Sequence, residues 1–164
     1  MAKSSQKTVG MKLLEGKKIP YEAFEYSPDQ KDAVLVAEAV GHPPEQVFKT
    51  LVVQPEDSSP KSKWSLAIIP ANHQLNLKKL AKVIGAKKLK MATYKQAEQR
   101  TGLQVGGISA IAVMNKGFAV YLHESANEFT HLVISAGKRG LQVKLGVDDF
   151  VKLTRAKLVQ ISDN

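Results

Sequence analysis

The residue that most invites a chemical reading is Lys49. In the run Val47-Phe48-Lys49-Thr50-Leu51-Val52-Val53 it shares strand phase with Val47, Leu51 and Val53, the pattern of a largely buried strand. Lysine is almost never fully buried without a partner, so Lys49 is paired, snorkels out at a sheet edge, or lines a polar pocket. Two glycine-containing turns add to the case: Gly106-Gly107-Ile108-Ser109-Ala110 and Ser135-Ala136-Gly137-Lys138-Arg139-Gly140. Successive free N–H groups in such turns make concave anion sites, and Lys138 and Arg139 would strengthen one for a phosphate or a developing oxyanion. Taken singly, each also reads as an ordinary tight turn.

Other chemistries are excluded or unsupported. There is no cysteine, hence no disulfide, thiolate metal site or cysteine nucleophile. His42, His73, His123 and His131 lack metal-ligand spacing, and none sits in a triad-like pattern with Ser and Asp, so all four read as structural and no metal is expected. Asp148-Asp149 fit the first turn of a helix. No Walker loop or dinucleotide fingerprint is present, and no cofactor is expected.

Charge points to a polyanion. Lys and Arg number 24 against 15 Asp and Glu, a net charge of +9 with a pI near 9.7. Nucleic acid is the first candidate partner, against a basic but merely soluble protein. The stretch 1–8 reads as a disordered polar leader without the apolar core of a signal peptide, and no segment has the unbroken apolar length of a membrane span. A cytoplasmic protein without membrane contact is expected, with residues 9–164 forming one domain.

The elements that must position these residues alternate irregularly. Thr8 reads as the cap of a short helix ending near Gly16, followed by a strand from Tyr21 to Tyr26 and a helix from Ala33 to Val40 closed by Gly41. Val47–Gln54 and Trp64–Ile69 form a hairpin around the Pro55–Pro60 loop. Asn76 caps an amphipathic helix through Ile84, stopped by Gly85, with Lys78, Lys79 and Lys82 on its outer face; that stripe is an ordinary solvated face or a phosphate-backbone contact. Thr93 and Gln96 make a capping box before a helix ending at Thr101-Gly102. Strands are read at 118–122, 131–134 and 141–145, and short helices at 125–129 and 147–153. Without a regular βαβ repeat, the reading is a single α+β domain with a mixed, strongly bent, barrel-like sheet flanked by helices.

Read in order, Phe48-Lys49-Thr50-Leu51, Ala71-Asn72 with Leu75-Asn76-Leu77-Lys78-Lys79, Thr101-Gly102 with Val105-Gly106-Gly107-Ile108-Ser109, and Ser135-Ala136-Gly137-Lys138-Arg139-Gly140-Leu141 resemble the YbaK/EbsC family from about Leu13 to Ile161. The resemblance implies the fold of the free-standing relatives of the prolyl-tRNA synthetase editing domain. It also implies an activity that removes a wrongly attached amino acid from tRNA, cysteine on tRNA for proline in the YbaK branch. It makes Lys49 the residue most closely tied to activity, with the loop Gly106, Gly107, Ile108, Ser109, Ala110 and the residues Ser135 and Tyr26 bordering the pocket. Two departures bear on the choice of amino acid: Ala110 stands where the family usually has proline, and Ala136 where glycine is common.

An aminoacyl ester is already activated, so a site can work by holding the substrate and stabilising charge on the carbonyl oxygen. Lys49 suits the second task, together with amides near Gly106-Gly107 and at Gly137. Ser135 and Thr50 are read as hydrogen-bonding the amino acid or the terminal ribose. The attacking group is the substrate's own thiol or a positioned water. The expected partners are the tRNA acceptor end, gripped by Lys78, Lys79, Lys82, Lys138 and Arg139, and prolyl-tRNA synthetase, because phosphate contacts alone do not choose a tRNA. A sister deacylase for alanyl, seryl or threonyl esters, with Ala110 and Gln142 altering the pocket, is the competing enzyme reading. A non-catalytic tRNA- or synthetase-binding module is the third.

Overall fold

The computed structural model describes residues 7–56 and 63–163. In chain order they form α1 (Val9–Gly16), β1 (Tyr21–Glu25), α2 (Ala33–Ala39), β2 (Phe48–Pro55), β3 (Ser65–Pro70), β4 (Gln74–Leu75), α3 (Leu77–Ile84), β5 (Leu89–Met91) and α4 (Tyr94–Thr101). There follow β6 (Ala119–His123), a 3-10 turn (Glu124–Glu128), β7 (His131–Lys138), β8 (Leu141–Gly146), α5 (Val147–Thr154), β9 (Lys157–Val159) and β10 (Ser162–Asp163). Most of the expected 1–8 leader and most of the hairpin loop lie outside the described residues.

Helix ends form where the sequence supplies caps. Thr8 Oγ1 accepts from the Met11 N–H at 3.1 Å, and Asn76 Oδ1 from the Lys79 N–H at 3.0 Å. At α4 the box is reciprocal, with the Gln96 N–H donating to Thr93 Oγ1 and the Thr93 N–H to Gln96 Oε1. Such a cap contributes about 1 kcal/mol to its helix.

Strand alternation then sorts the core into layers. The central sheet has the order β5-β2-β3-β6-β9; β2 pairs antiparallel with β5 and β3, whereas β3, β6 and β9 run parallel. Phe48, Val52, Leu66, Ile68, Val120 and Leu122 share a core with Leu132, Ile134, Val143 and Leu145 of the second sheet, β1-β8-β7, completed by Leu14 and Phe150. The opposite phase, Val53, Ala67, Ile69 and Tyr121, packs under Leu80 and Ala81 of α3. Phe150 is fully buried, and its truncation to alanine costs about 3–5 kcal/mol.

The domain is α+β with a mixed sheet, as the sequence indicates, but the sheet does not close into a barrel. Its strands divide into the five-stranded sheet, the three-stranded sheet and a β10-β4 ribbon. Among the described residues one parallel bridge, Val47 with Val133, joins the two larger sheets, and there the Val133 N–H donates to the Gln46 carbonyl. α2 lays Ala37 and Val40 over that seam. β5 pairs only with Val53, Gln54 and Pro55 of β2, so the first half of β2 has no β5 neighbour beside it. Among the described residues no helix is long and apolar enough to cross a membrane.

Candidate functional site

The seam opens into a cavity of about 230 Å³. β2 supplies Phe48, Lys49, Thr50 and Leu51, and the β7–β8 hairpin supplies Ser135, Arg139 and Gln142. Ala33 and Val36 of α2 cover one side, Val105, Gly106 and Ile108 the other, and Tyr26, Gln30, Lys31 and Tyr94 complete the wall. A cavity of this size, open to solvent on one side, holds a small ligand group.

Lys49 is half-buried in this wall. Its Nζ donates to the Ala71 carbonyl at 3.2 Å, one of three donors an ammonium carries. Burial holds its pKa below the ordinary lysine value, while the Asp32 carboxylate pulls it back up. Asp32 is fixed because it also caps α2, accepting from the N–H groups of Val34 and Leu35 at 2.9 and 3.2 Å. Among the described lining residues Lys31, Lys49 and Arg139 are cationic and none is a carboxylate. The cavity is therefore an electropositive site for an anion or a developing negative charge.

The two glycine turns are locked to each other. A Cβ on Gly107 would lie 2.7 Å from the Arg139 nitrogen and 2.8 Å from the Lys138 carbonyl carbon, so only glycine permits this backbone contact. Arg139 Nε donates to the Val105 carbonyl at 2.8 Å across the same join. Gly137, at φ 105°, sits in a register shift of β7, and its N–H donates to Ser135 Oγ at 3.1 Å. The hydroxyl hydrogen of Ser135 is left for another acceptor.

The expected site residues thus divide. Tyr26, Lys49, Thr50, Gly106, Ile108, Ser135 and Arg139 line the cavity together. Gly107, Ser109 and Gly137 lie behind its wall: Gly107 at the backbone join, Ser109 buried with Oγ accepting from the Ala112 N–H, and Gly137 in a separate hollow with Lys7, Thr8 and Lys138. Ala110 is packed in the core. Lys78, Lys79 and Lys82 are exposed on α3 and line no part of the cavity; Lys79 also pairs with Asp163 at 3.6 Å and donates to the Ser162 carbonyl.

Sequence reasoning did not assign Gln30, Lys31 or Tyr94 to the site. Tyr94 is 72% exposed at the first position of α4, an unusual place for a large aromatic ring, and that position beside the capping box is the only signal the sequence offers. Outside the cavity, His73 and His123 stack edge to face with ring centroids 5.1 Å apart. His73 Nδ1 lies 2.7 Å from Ser162 Oγ, and His123 Nδ1 lies 2.8 Å from Ser125 Oγ.

A family model described as the aminoacyl-tRNA editing domain matches residues 27–153. The chain is 40% identical over 162 residues, 98% of its length and 96% of the other's, to an Enterococcus faecalis protein named as a candidate Cys-tRNA(Pro)/Cys-tRNA(Cys) deacylase, EbsC. It is 28% identical over 110 residues to the proline–tRNA ligase of Halalkalibacterium halodurans, covering 67% of this chain and 18% of that one. In fold it is similar to a crystal structure described as a candidate trans-editing enzyme for prolyl tRNA synthetase, with a TM-score of 0.76, 20% identity, and coverage of 96% of this chain and 99% of that one.

Proposed function

The chain belongs to the aminoacyl-tRNA editing domain family, and from that premise we propose that it acts in trans on mischarged tRNA, cleaving the aminoacyl ester beside Lys49, with cysteine on tRNA for proline as its substrate. The observation that carries this reading is the half-buried Lys49 ammonium in a small cavity lined by cations and no carboxylate. An ester carbonyl placed there gains charge stabilisation as its oxygen becomes negative, and burial makes each such contact stronger than in water. The aminoacyl group enters between β2 and the β7–β8 hairpin, with Thr50 and Ser135 as hydrogen-bonding groups. The ribose and terminal base lie toward Tyr94, whose open face suits stacking on a base.

For a cysteinyl ester the substrate supplies its own nucleophile. The thiol loses its proton, sulfur attacks the carbonyl carbon, and the carbon–oxygen bond to ribose breaks. The ribose oxygen takes up a proton and a cysteine thiolactone leaves. Nearby cations favour the thiolate and thereby this route. For an ester without a thiol, water adds to the same carbonyl and the free amino acid leaves, which makes the reaction a hydrolysis. Backbone contact by Lys78, Lys79, Lys82, Lys138 and Arg139 gives affinity that weakens with salt, and prolyl-tRNA synthetase supplies the choice of tRNA. The site of action is the cytoplasm, where the charged tRNA pool is.

The test is the release of labelled cysteine, alanine, serine or threonine from tRNA for proline, with and without prolyl-tRNA synthetase. Fastest release of cysteine is expected. Faster release of one of the other three would make the chain a sister deacylase, and tRNA binding with no release would make it a non-catalytic module.

A further inference from the structure

Tyr94, the exposed ring in the cavity wall, belongs to a stretch whose surface is mostly lysine. Residues 86–95 hold Lys87, Lys88, Lys90 and Lys95 and no carboxylate. All four lysines are exposed, beside Tyr94 at 72% and Met91 at 40%. The stretch forms β5, a turn through Ala92 and Thr93, and the start of α4. β5 is the end strand of the central sheet. Its Lys88 carbonyl accepts from the Glu56 N–H at 3.1 Å, and the Ala92 N–H donates to the Val52 carbonyl at 3.0 Å. By the alternation of an antiparallel pair, the peptide groups of Leu89 and Met91 then point away from β2.

The position of β5 connects these charges to the cavity. Val52, the partner of Ala92, follows Leu51, the last β2 residue of the lining, so β5 ends where the cavity begins. Measured along the strand from Leu51, Lys90 lies about 10 Å away and Lys88 about 17 Å. Tyr94 lines the cavity itself, and Lys95 follows it at the start of α4. The lysines therefore make a track that leads outward from the mouth. Folding does not call for it. A lysine on an edge strand discourages pairing between sheets, but Lys95 and Tyr94 lie off the strand, and neighbouring like charges repel. Lys88 has the Glu56 carboxylate at 3.8 Å, an exposed pair that contributes little. The α3 lysines, by contrast, belong to a helix packed on the Val53, Ala67 and Ile69 face and line no part of the cavity. We propose that the β5–α4 edge, Lys87, Lys88, Lys90 and Lys95 with the Tyr94 ring, is the track on which the 3′ strand of the tRNA acceptor end lies as it leaves the cavity. This rests on the deacylase reading for which end of the RNA enters, and goes beyond it by assigning the surface. Proteins that hold single strands without reading sequence combine a positive track for the backbone with an aromatic ring for a base. Tyr94 takes the terminal base, the lysines take the phosphates behind it, and the outward N–H groups of Leu89 and Met91 are further donors to phosphate oxygens.

The experiment measures the binding of uncharged tRNA across a salt series and the release of cysteine from cysteinyl-tRNA. The wild type is compared with the triple variant Lys87→Ala, Lys90→Ala, Lys95→Ala and with a control, Lys12→Ala, Lys116→Ala, Lys152→Ala, which removes the same charge from exposed positions elsewhere. Each lost phosphate contact removes about 0.7–0.9 from the slope of log affinity against log salt, so the triple variant's slope should be shallower by about 2–3. Its KM for cysteinyl-tRNA should rise roughly 10-fold or more with kcat at saturation unchanged, because the lysines hold the RNA and do not touch the ester. The control should keep a slope near that of the wild type. A triple variant with wild-type slope and KM overturns the proposal, as does a loss confined to kcat or an equal loss in the control. If the wild type binds tRNA through this edge and releases no amino acid from any tRNA, the deacylase reading falls and the track stands. If release is normal and the triple variant binds as the wild type does, the track falls and the deacylase reading stands. Should the triple variant fail to fold, Lys90→Ala and Lys95→Ala decide singly, each expected to lower the slope by about 0.7–0.9.

Discussion

Replacing Lys49 by methionine keeps the length of the side chain and removes its charge. An ammonium about 4 Å from a developing oxyanion contributes about 4 kcal/mol at an effective dielectric near 20. Because Lys49 is half-buried and shares one donor with the Ala71 carbonyl, the lower end, about 3 kcal/mol, is the appropriate figure. That corresponds to a loss of about 150-fold in the chemical step, within the range measured for deleting one oxyanion donor. The assay is single-turnover release of labelled cysteine from saturating mischarged tRNA, with KM measured separately. The loss should fall on kcat. The pH dependence of its contribution follows from the direction of the pKa shift: the protonated form is the working one, so the rate advantage of wild type over Lys49→Met is full below the lowered pKa and falls as pH rises through it, below the ordinary 10.5. Methionine also removes the opposition to folding that a buried charge exerts at neutral pH, so thermal unfolding should occur at the same temperature or higher. A folded Lys49→Met protein less than 10-fold impaired, or impaired in KM alone, would refute the electrostatic role.

Three further outcomes are expected. Gly107→Ala pushes a Cβ onto the Lys138–Arg139 backbone and should lower stability by about 1–3 kcal/mol, read by thermal or urea unfolding; an unchanged midpoint would show that the join yields. Tyr94→Ala should weaken tRNA use roughly 10-fold through KM while Tyr94→Phe stays near wild type, because stacking needs the ring and not the hydroxyl. His73, its pKa lowered mainly by burial and further by His123 and Lys49, favours the neutral ring in the folded state. The stability it supports is present above its unfolded value of about 6.5 and is lost as pH falls below that toward the folded pKa. His73→Gln should flatten that acid slope in urea titrations, and a slope identical to wild type would remove His73 as its cause.

The sequence made the long elements legible because each carries its own signal: Thr8, Asn76 and Thr93 cap their helices, and β2, β3, β6, β7 and β8 are runs long enough to show a period. The strands β4, β5, β9 and β10 were not legible, since runs of two or three residues such as Gln74-Leu75 or Leu89-Lys90-Met91 have no period and exist only through distant partners. Whether a bent, barrel-like sheet closes is not legible for the same reason: it depends on contacts such as the Val47–Val133 bridge, not on local pattern. In the site, the conflict between charge and strand phase exposed Lys49. Glycine content flagged both turns but not their direction, so Gly106 faces the cavity and Gly107 does not. Gln142 enters the sequence reading only as a residue that alters the pocket in a sister deacylase; its burial in the cavity wall is a product of the fold, which places it with β2 and α2 around the same space.

The join between Gly107 and the Lys138–Arg139 backbone, with Arg139 tied to Val105, links two loops some thirty residues apart into one part. Neither can be redrawn alone: a bulkier residue in the first demands a shifted path in the second, and a change at Arg139 frees the carbonyl that anchors the first. Evolution of a new amino-acid preference by single steps is therefore hindered at this join, whereas Thr50 and Gln142 line the cavity from β2 and β8 outside it. Relatives with different substrates should differ first at those strand positions, and where they differ in one loop they should differ in both.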